Sequence, residues 1–444
     1  MVAQTLLAEV RLWGRLVGAL AYDADTRIST FEYSPEWRAS GVEIAPLRMP
    51  LAATKYQFPQ LSYETYRGLP AVFADTLPDD FGNAVIDAWL ARQGRDSGSF
   101  TAVERLLYTG TRGMGAMEFF PVIEPHHQVD DHLELASLVA MAQTVLDERA
   151  QLNKSVINGL IADKDDAMQA IVQVGTSAGG ARAKALIAVN ADRSQIRSGQ
   201  LNAPTGYEHY MLKFDGVEER RTDSETFGDP RGFGRLEYAY YLMAKDVGMD
   251  ISDSELLLEG GRAHFMTRRF DRRGNDKFHY QSLCAMDHAD FRNTGNYSYE
   301  QLLSVARRLR LPRSDAIEIF RRMVFNVIAR NHDDHAKNFG FILDDMNGQW
   351  RLSPAFDVAY SYRKDSPWVN SHQMSINGKR DGFVRDDLMQ VARLIGNFRE
   401  APSIINEVVA VVRQWPAYAD KAGVFTELQQ EVQGNLRLGG MHDW

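Results

Sequence analysis

From Leu6 to Pro35 the chain alternates apolar and polar positions, with Val10, Leu12, Leu16, Gly18, Leu20 and Tyr22 on a period of two. That period sets one face of a strand in a core and the other in water. With Trp13-Gly14 and Asp23–Thr26 as turn signals, it predicts a small antiparallel β-meander. Residues 71–94 read as a turn through Leu77-Pro78-Asp79-Asp80 feeding a helix from Phe81 to Ala91. Residues 102–123 predict a short helix, a glycine-rich turn (Gly110, Gly113, Gly115) and a strand. A polar stretch, Glu124–His132, then leads into helices at about 134–150 and 164–171.

The pattern changes near residue 172. Val172–Val174 and Lys184–Val189 read as strands around the glycine-rich Gly175–Gly180, and Tyr210–Phe214 continues the sheet. Arg235–Val247 is amphipathic at helical spacing, and Ala263–Phe270 with Phe278–Leu283 predicts a hairpin around Arg272–Asp276. Beyond 298 the period becomes helical over 298–309, 313–330, 385–397, 402–414 and 420–437, interrupted by strands at about 339–343 and 349–352. The fold class expected is α+β: a mixed first half and a mostly helical second half, as in a two-lobed enzyme with a cleft.

Composition narrows this picture. At 444 residues the chain is too long for one ordinary core, so two or three lobes are expected. The single Cys284 excludes a disulfide framework and any multi-cysteine metal site, which fits a cytoplasmic chain. Glu9, Arg11 and Arg15 interrupt the apolar N-terminus, and no run is long enough to span a bilayer, so no membrane association is expected. A net charge of -9 offers no global attraction to nucleic acid.

Phosphoryl transfer needs a backbone-rich loop over phosphates, a lysine, a carboxylate to hold it, a base and metal ligands. The chain carries a candidate for each, in order. The small residues of Val174–Lys184 let backbone N–H groups approach phosphate oxygens closely, although the Walker ending is absent. Lys213, in Tyr210-Met211-Leu212-Lys213-Phe214, alternates with apolar neighbours and is costly to turn inward unless it meets an anion; Glu237, on the next helix, is a candidate to hold it. The strongest cluster is Asn331-His332-Asp333-Asp334-His335-Ala336-Lys337-Asn338, a polar octapeptide between two apolar runs, followed by Asp357. Asp333 and Asn338 have the spacing of a kinase base and its metal-binding amide, and Asp357 follows a hairpin as the second metal ligand does. Asp333 is thus the candidate base, Asn338 and Asp357 the oxygen ligands for Mg²⁺, and His335 and Lys337 their support. A transition-metal site at His332, Asp333 and His335 is the other chemistry these residues suggest, but no further histidines fall at matching spacing.

Taken together, Ser177-Ala178-Gly179-Gly180-Ala181-Arg182-Ala183-Lys184, Lys213, Arg269-Phe270-Asp271-Arg272, Asp333–Phe339 and Ser353-Pro354-Ala355-Phe356-Asp357 make the chain resemble the HipA family of bacterial serine/threonine kinases. These are the toxins of HipBA-type toxin–antitoxin systems. Tyr33–Trp37 and Leu77-Pro78-Asp79 look like that family's N-terminal subdomain. The resemblance implies a protein-kinase-like fold with residues 1–125 as the N-terminal subdomain, 126–297 as the rest of the N-terminal lobe and 298–444 as the helical lobe. It implies ATP and Mg²⁺ as cofactors, with Gly179, Gly180, Ala181, Arg182, Ala183 and Lys184 at the phosphates beside Lys213. Arg268, Arg269 and Phe270 would flank the adenine, with His335, Lys337, Asn338, Phe356 and Asp357 completing the nucleotide site and Ser177 autophosphorylated. It further implies a HipB-like helix-turn-helix antitoxin, operator DNA reached only through it, and a protein substrate such as glutamyl-tRNA synthetase. A small-molecule kinase and a non-catalytic co-repressor are the rival readings.

Overall fold

A computed structural model describes residues 6–123, 133–152, 182–218, 228–229, 231–438 and 444. The chain forms two compact units. The first comprises Met1–Val42, Leu51–Gly234 and Ser254–His279; the second comprises Glu43–Pro50, Arg235–Asp253 and Tyr280–Trp444.

In the first unit the expected meander is the middle of a five-stranded antiparallel sheet, ordered Lys55–Tyr56, Ile28–Tyr33, Arg15–Asp23, Leu6–Leu12, Met117–Phe120. Ala8, Val10 and Leu12 are buried as the alternation requires. The loop between the first two strands is Trp13-Gly14, with φ of 50° and 74°. Positive φ at both positions is the two-residue hairpin geometry that matches strand twist.

A second antiparallel sheet runs Ser254–Glu259, Arg262–Arg268, Tyr207–Lys213, Lys184–Asn190, Ile196–Ser198. Ala185, Ile187 and Val189 join Leu212 in a buried cluster with Phe81, Val85 and Trp89 of helix Asp80–Arg92 and Leu138, Ala142 and Val145 of helix Leu135–Leu152. The intervening residues form the alternate register, in which Lys184 pairs with Lys213 and Lys213 with Phe265. Arg262–Arg268 does not form the predicted hairpin with Phe278–Leu283. It pairs with Ser254–Glu259 and Tyr207–Lys213, whereas His279–Ser282 joins a different sheet. The break between them is Asp271, fully buried, whose carboxylate accepts from Arg269 Nε at 2.9 Å, Arg272 Nη1 at 2.8 Å and Gly115 N at 2.7 Å. The turn predicted around Arg272–Asp276 does form, as a short hairpin in which Arg272 pairs with Lys277 and Arg273 with Asp276, closed by Phe278 N donating to Asp271 O at 3.0 Å.

The second unit is mostly helical. Its central helix, Arg313–Ile328, is buried along Ile319, Phe320, Met323, Val324, Val327 and Ile328. It packs against Ala401–Val412 through that helix's buried Ile404, Ile405 and Val408. The predicted helix over 420–437 is two, Trp415–Ala422 and Thr426–Asn435, because Gly423 takes φ 69° and ends the first. The predicted 385–397 helix stops at Ala392. Strands His279–Ser282, Gly340–Leu343 and Trp350–Leu352 make a three-stranded sheet. The predicted helix 164–171 and strand Val172–Val174 lie outside the described residues.

Candidate active site

The octapeptide sits where the central helix ends and the hairpin begins. Arg330 reverses the chain at φ 57°, after which Asn331 N donates to Asn326 O at 2.9 Å and Asn331 Nδ2 to Asn326 Oδ1 at 2.9 Å. His332 N is fixed to Ser361 O at 3.1 Å. His335 then caps a 3₁₀ turn over Ala336–Asn338, its Nδ1 accepting from Lys337 N at 3.2 Å. That turn brings Asn338 back under Asp333: Asn338 Nδ2 donates to Asp333 O at 2.8 Å. An amide whose nitrogen is used this way turns its oxygen away from the bond, as a metal ligand requires.

The hairpin explains why Asp357 belongs with this loop. Phe341 pairs with Leu352, and Ser353 N donates to Gly340 O at 2.9 Å. The chain therefore leaves the hairpin at the end where Asn338 entered it, and Asp357 follows within a few residues at φ 55°. A non-glycine residue at positive φ is uncommon, and aspartate is among the few that tolerate it. Phe356 lies edge-on to Tyr280, with centroids 6.3 Å apart.

Beside Asp333, the adjoining Asp334 plays a different part. It is buried at 1% exposure and accepts from Tyr299 Oη at 2.8 Å and Gln373 N at 2.8 Å, with His372 Nδ1 at 2.9 Å. Asp333 keeps 31% of its side chain exposed; His335 Nε2 is 3.6 Å from its Oδ1, and Trp368 Nε1 donates to the same oxygen at 2.8 Å. Lys337 Nζ lies 4.8 Å from the centre of the Phe291 ring. His332 is buried against His372, with centroids 4.2 Å apart, and burial holds its imidazole neutral well below the usual histidine range.

Of the other predicted residues that are described, Glu237 lies in the second unit and the rest in the first. Lys184, Lys213 and Phe265 stand side by side across three strands, with both lysines buried. Lys184 Nζ is 3.3 Å from Asp79 Oδ2, the carboxylate that also caps helix Asp80–Arg92 by accepting from Gly82 N at 2.6 Å. Burial raises the Asp79 carboxyl above its ordinary value, against the opposing pull of Lys184. Glu237 is likewise buried, at 2% exposure. Arg182 lies with its guanidinium 6.0 Å from the Phe233 ring centre, and Ala183 O accepts from Phe214 N at 3.1 Å. Arg268 is exposed and pairs loosely with Glu208 at 3.3 Å, whereas Arg269 is spent inside on Asp271, with its N–H given to His209 O at 2.9 Å. Burial would raise Asp271, but Arg269 and then Arg272 hold its carboxyl well below the usual range. Phe270 is half-buried. Ser177, Gly179, Gly180 and Ala181 lie outside the described residues.

Three participants escaped the sequence reading. Asp79 carried a helix-cap signal but none for pairing with Lys184; Asp334 was visible only as part of a string; Trp368, in a polar run, carried no signal at all.

A family model of the HipA-like C-terminal domain matches residues 176–415, more than half of the chain. The chain belongs to the HipA family. A model of the HipA N-terminal domain matches residues 8–120 of this HipA-family chain, covering the meander and helix Asp80–Arg92. Its fold, mixed α/β with antiparallel sheets, is that of the Shewanella oneidensis HipA solved with HipB and its operator DNA. That likeness has a TM-score of 0.62 at 17% identity and covers 96% of this chain and 94% of that one. Two Sinorhizobium fredii proteins whose names class them provisionally as kinases are also similar. Y4mE is 24% identical over 126 residues, covering 26% of this chain and 30% of that protein. Y4dM is 25% identical over 183 residues, covering 36% and 42%. The matches thus span less than half the length of either curated relative. Among the described residues, no helix is long and apolar enough to cross a membrane.

Proposed function

We propose that this HipA-family chain is an ATP-dependent serine/threonine protein kinase that acts as the toxin of a toxin–antitoxin pair. The observation that carries the reading is the 2.8 Å bond from Asn338 Nδ2 to Asp333 O, which holds a carboxylate and an amide oxygen on one turn at the mouth of the hairpin that returns Asp357. Among the described residues no cluster of three or more His, Cys, Asp or Glu side chains is placed to hold a metal. One carboxylate and one amide oxygen is instead the sparse, hard donor set that Mg²⁺ accepts when phosphates and water supply the rest. Asn338 and Asp357 would hold that ion, which when bound neutralises charge on the phosphates.

In the transfer, the acceptor hydroxyl oxygen forms a bond to the γ-phosphorus as the bond to the β,γ-bridging oxygen breaks. ADP leaves with that electron pair, and Asp333 receives the hydroxyl proton. Lys213, in the buried row with Lys184, contributes cationic charge to the phosphates. The backbone around Arg268–Phe270 borders the adenine, and Ser177 is the autophosphorylation site. A small helix-turn-helix antitoxin, as HipB is to the Shewanella HipA, is the proposed partner. An aminoacyl-tRNA synthetase is the proposed substrate class.

The test is phosphate incorporation into the chain itself, read by mass spectrometry after incubation with Mg²⁺–ATP. Incorporation at Ser177 in the wild type, lost in Asp333→Ala and Asp357→Ala, is the expected result. Full incorporation in both variants refutes the assignment.

A further inference from the structure

The carboxylate proposed as the base is held by a side chain outside every motif named above. Trp368 Nε1 donates to Asp333 Oδ1 at 2.8 Å, across 35 positions of chain. The indole is itself anchored. Trp368 N donates to Ser366 Oγ at 3.3 Å, and the Trp368 carbonyl accepts from Gln373 Nε2. The same short segment grips both neighbours of Asp333: Val369 O is 3.1 Å from His332 Nδ1, and Gln373 N donates to Asp334 Oδ1 at 2.8 Å. Three consecutive loop residues are therefore tied to one stretch, and Asp333 is the one whose tie reaches a partly exposed carboxylate.

The surroundings show what the bond prevents. His335 Nε2 lies 3.6 Å from the oxygen that the indole holds, and the His335 and Trp368 rings sit 6.1 Å apart. Phe291 borders both, at 5.3 Å from His335 and 6.5 Å from Trp368. An aspartate carboxylate rotates broadly about its last torsion. Loss of the indole donor removes this tie on Oδ1, with His335 Nε2 3.6 Å away to draw the carboxylate from an incoming hydroxyl.

We propose that Trp368 is a positioning residue for phosphoryl transfer, its indole N–H fixing the Asp333 carboxylate in the orientation that receives the acceptor proton. This rests on the reading of Asp333 as the base. Preorganisation of this kind acts on the chemical step and leaves nucleotide affinity alone.

The experiment compares variants of the full chain by the initial rate of phosphate incorporation from Mg²⁺–ATP. Trp368→Phe keeps a ring and removes the donor. It is expected to lower kcat by about tenfold or more, the scale of a hydrogen bond to a charged group, with KM for Mg²⁺–ATP within about twofold and the thermal midpoint kept. Trp368→His, whose ring nitrogen donates, is expected to recover part of that loss. In an Asp333→Glu background, whose longer carboxylate no longer meets the indole, Trp368→Phe is expected to add little. Wild-type kcat in Trp368→Phe overturns the proposal, as does an equal loss in both backgrounds or no recovery in Trp368→His, each the mark of a merely structural ring. Asp333→Asn separates the two readings. If it is inactive while Trp368→Phe is fully active, only the positioning role falls; if it is fully active, the base assignment falls and takes this one with it.

Discussion

Lys184 and Lys213 stand directly opposite one another on adjacent antiparallel strands, both buried, with Asp79 paired to the first at 3.3 Å. Like charges directly opposite on a sheet are destabilising, and a buried cation needs an anion. Asp79 supplies one for Lys184 from the first turn of a helix in the same unit. The pair thereby links the helix of the HipA N-terminal region to the first strand of the second sheet.

Removing Asp79 is therefore expected to cost twice. Asp79→Ala leaves Lys184 buried without that carboxylate, about 3–5 kcal/mol, and strips the helix cap, about 1 kcal/mol. Asp79→Asn keeps the cap acceptor and loses only the charge, so it should be milder; adding Lys184→Met to it should recover part of the loss. Denaturant unfolding checks this, and equal losses in Ala and Asn variants would remove the cap from the account.

Gly340 is expected to tolerate no side chain. A Cβ there would lie 2.2 Å from Tyr280 Cε2, so Gly340→Ala must displace a ring that packs on Phe356. The expected cost is about 1–3 kcal/mol, relieved in the Gly340→Ala, Tyr280→Ala double variant. Gly348, at φ 72° in the open turn of the same hairpin, meets nothing within 4 Å, so its alanine variant should cost only the backbone strain of positive φ, which no ring deletion relieves. Thermal midpoints of the three variants decide it.

Tyr299→Phe is expected to loosen the loop over 331–338 from behind. It removes one of the donors to buried Asp334 and the acceptor of Asn326 Nδ2 at 3.0 Å. An unmade bond to a buried charged group costs about 1–3 kcal/mol. Amide exchange over 331–338 should rise in this variant, and an unchanged exchange pattern would mean that Asp334 holds through its other partners alone.

Stability is expected to fall as pH drops from 7 towards 5. Burial lowers the imidazoles of His209, His264 and His332, and His288 is pushed down to about 4. The sign follows from proton uptake: below the ordinary histidine value near 6.5, the unfolded chain binds protons that the folded one refuses. Stability present above that value is therefore lost as pH falls towards the folded value, by about 1.4 kcal/mol per pH unit for each such group. Asp79 and Glu318, whose carboxyls burial raises, oppose the trend at the acid end. His288 sits at φ 57°, which asparagine tolerates. His288→Asn should flatten the pH dependence of the thermal midpoint, and an unchanged slope would exclude His288 from it.

The elements that were legible are those whose signal is local. Period-two alternation and the Trp13-Gly14 turn located the meander, Asp79 with the run after it located a helix, and Asp345–Gly348 located the hairpin. The order Lys213, Asp333, Asn338, Asp357 was likewise readable, because a loop's chemistry is written in consecutive residues. Around the turn that formed at Arg272–Lys277, the pairing expected between 263–270 and 278–283 failed for the opposite reason. Strand partners are chosen by contacts across the sheet, and neither the Ser254–Glu259 edge nor the burial of Asp271 leaves a mark near residue 270.

By itself, then, the sequence determined the strand and helix periods and the order along the chain of the side chains proposed to carry the chemistry. Only the tertiary structure decided that Lys184 is paired with Asp79, that Lys184 and Lys213 share a register, and that Trp368 donates to the Asp333 carboxylate. The division is physical. Backbone preference and amphipathic period act over a few residues, whereas a buried charge or a carboxylate takes whichever partner the packed chain brings within about 3 Å, and that partner's sequence distance is unconstrained.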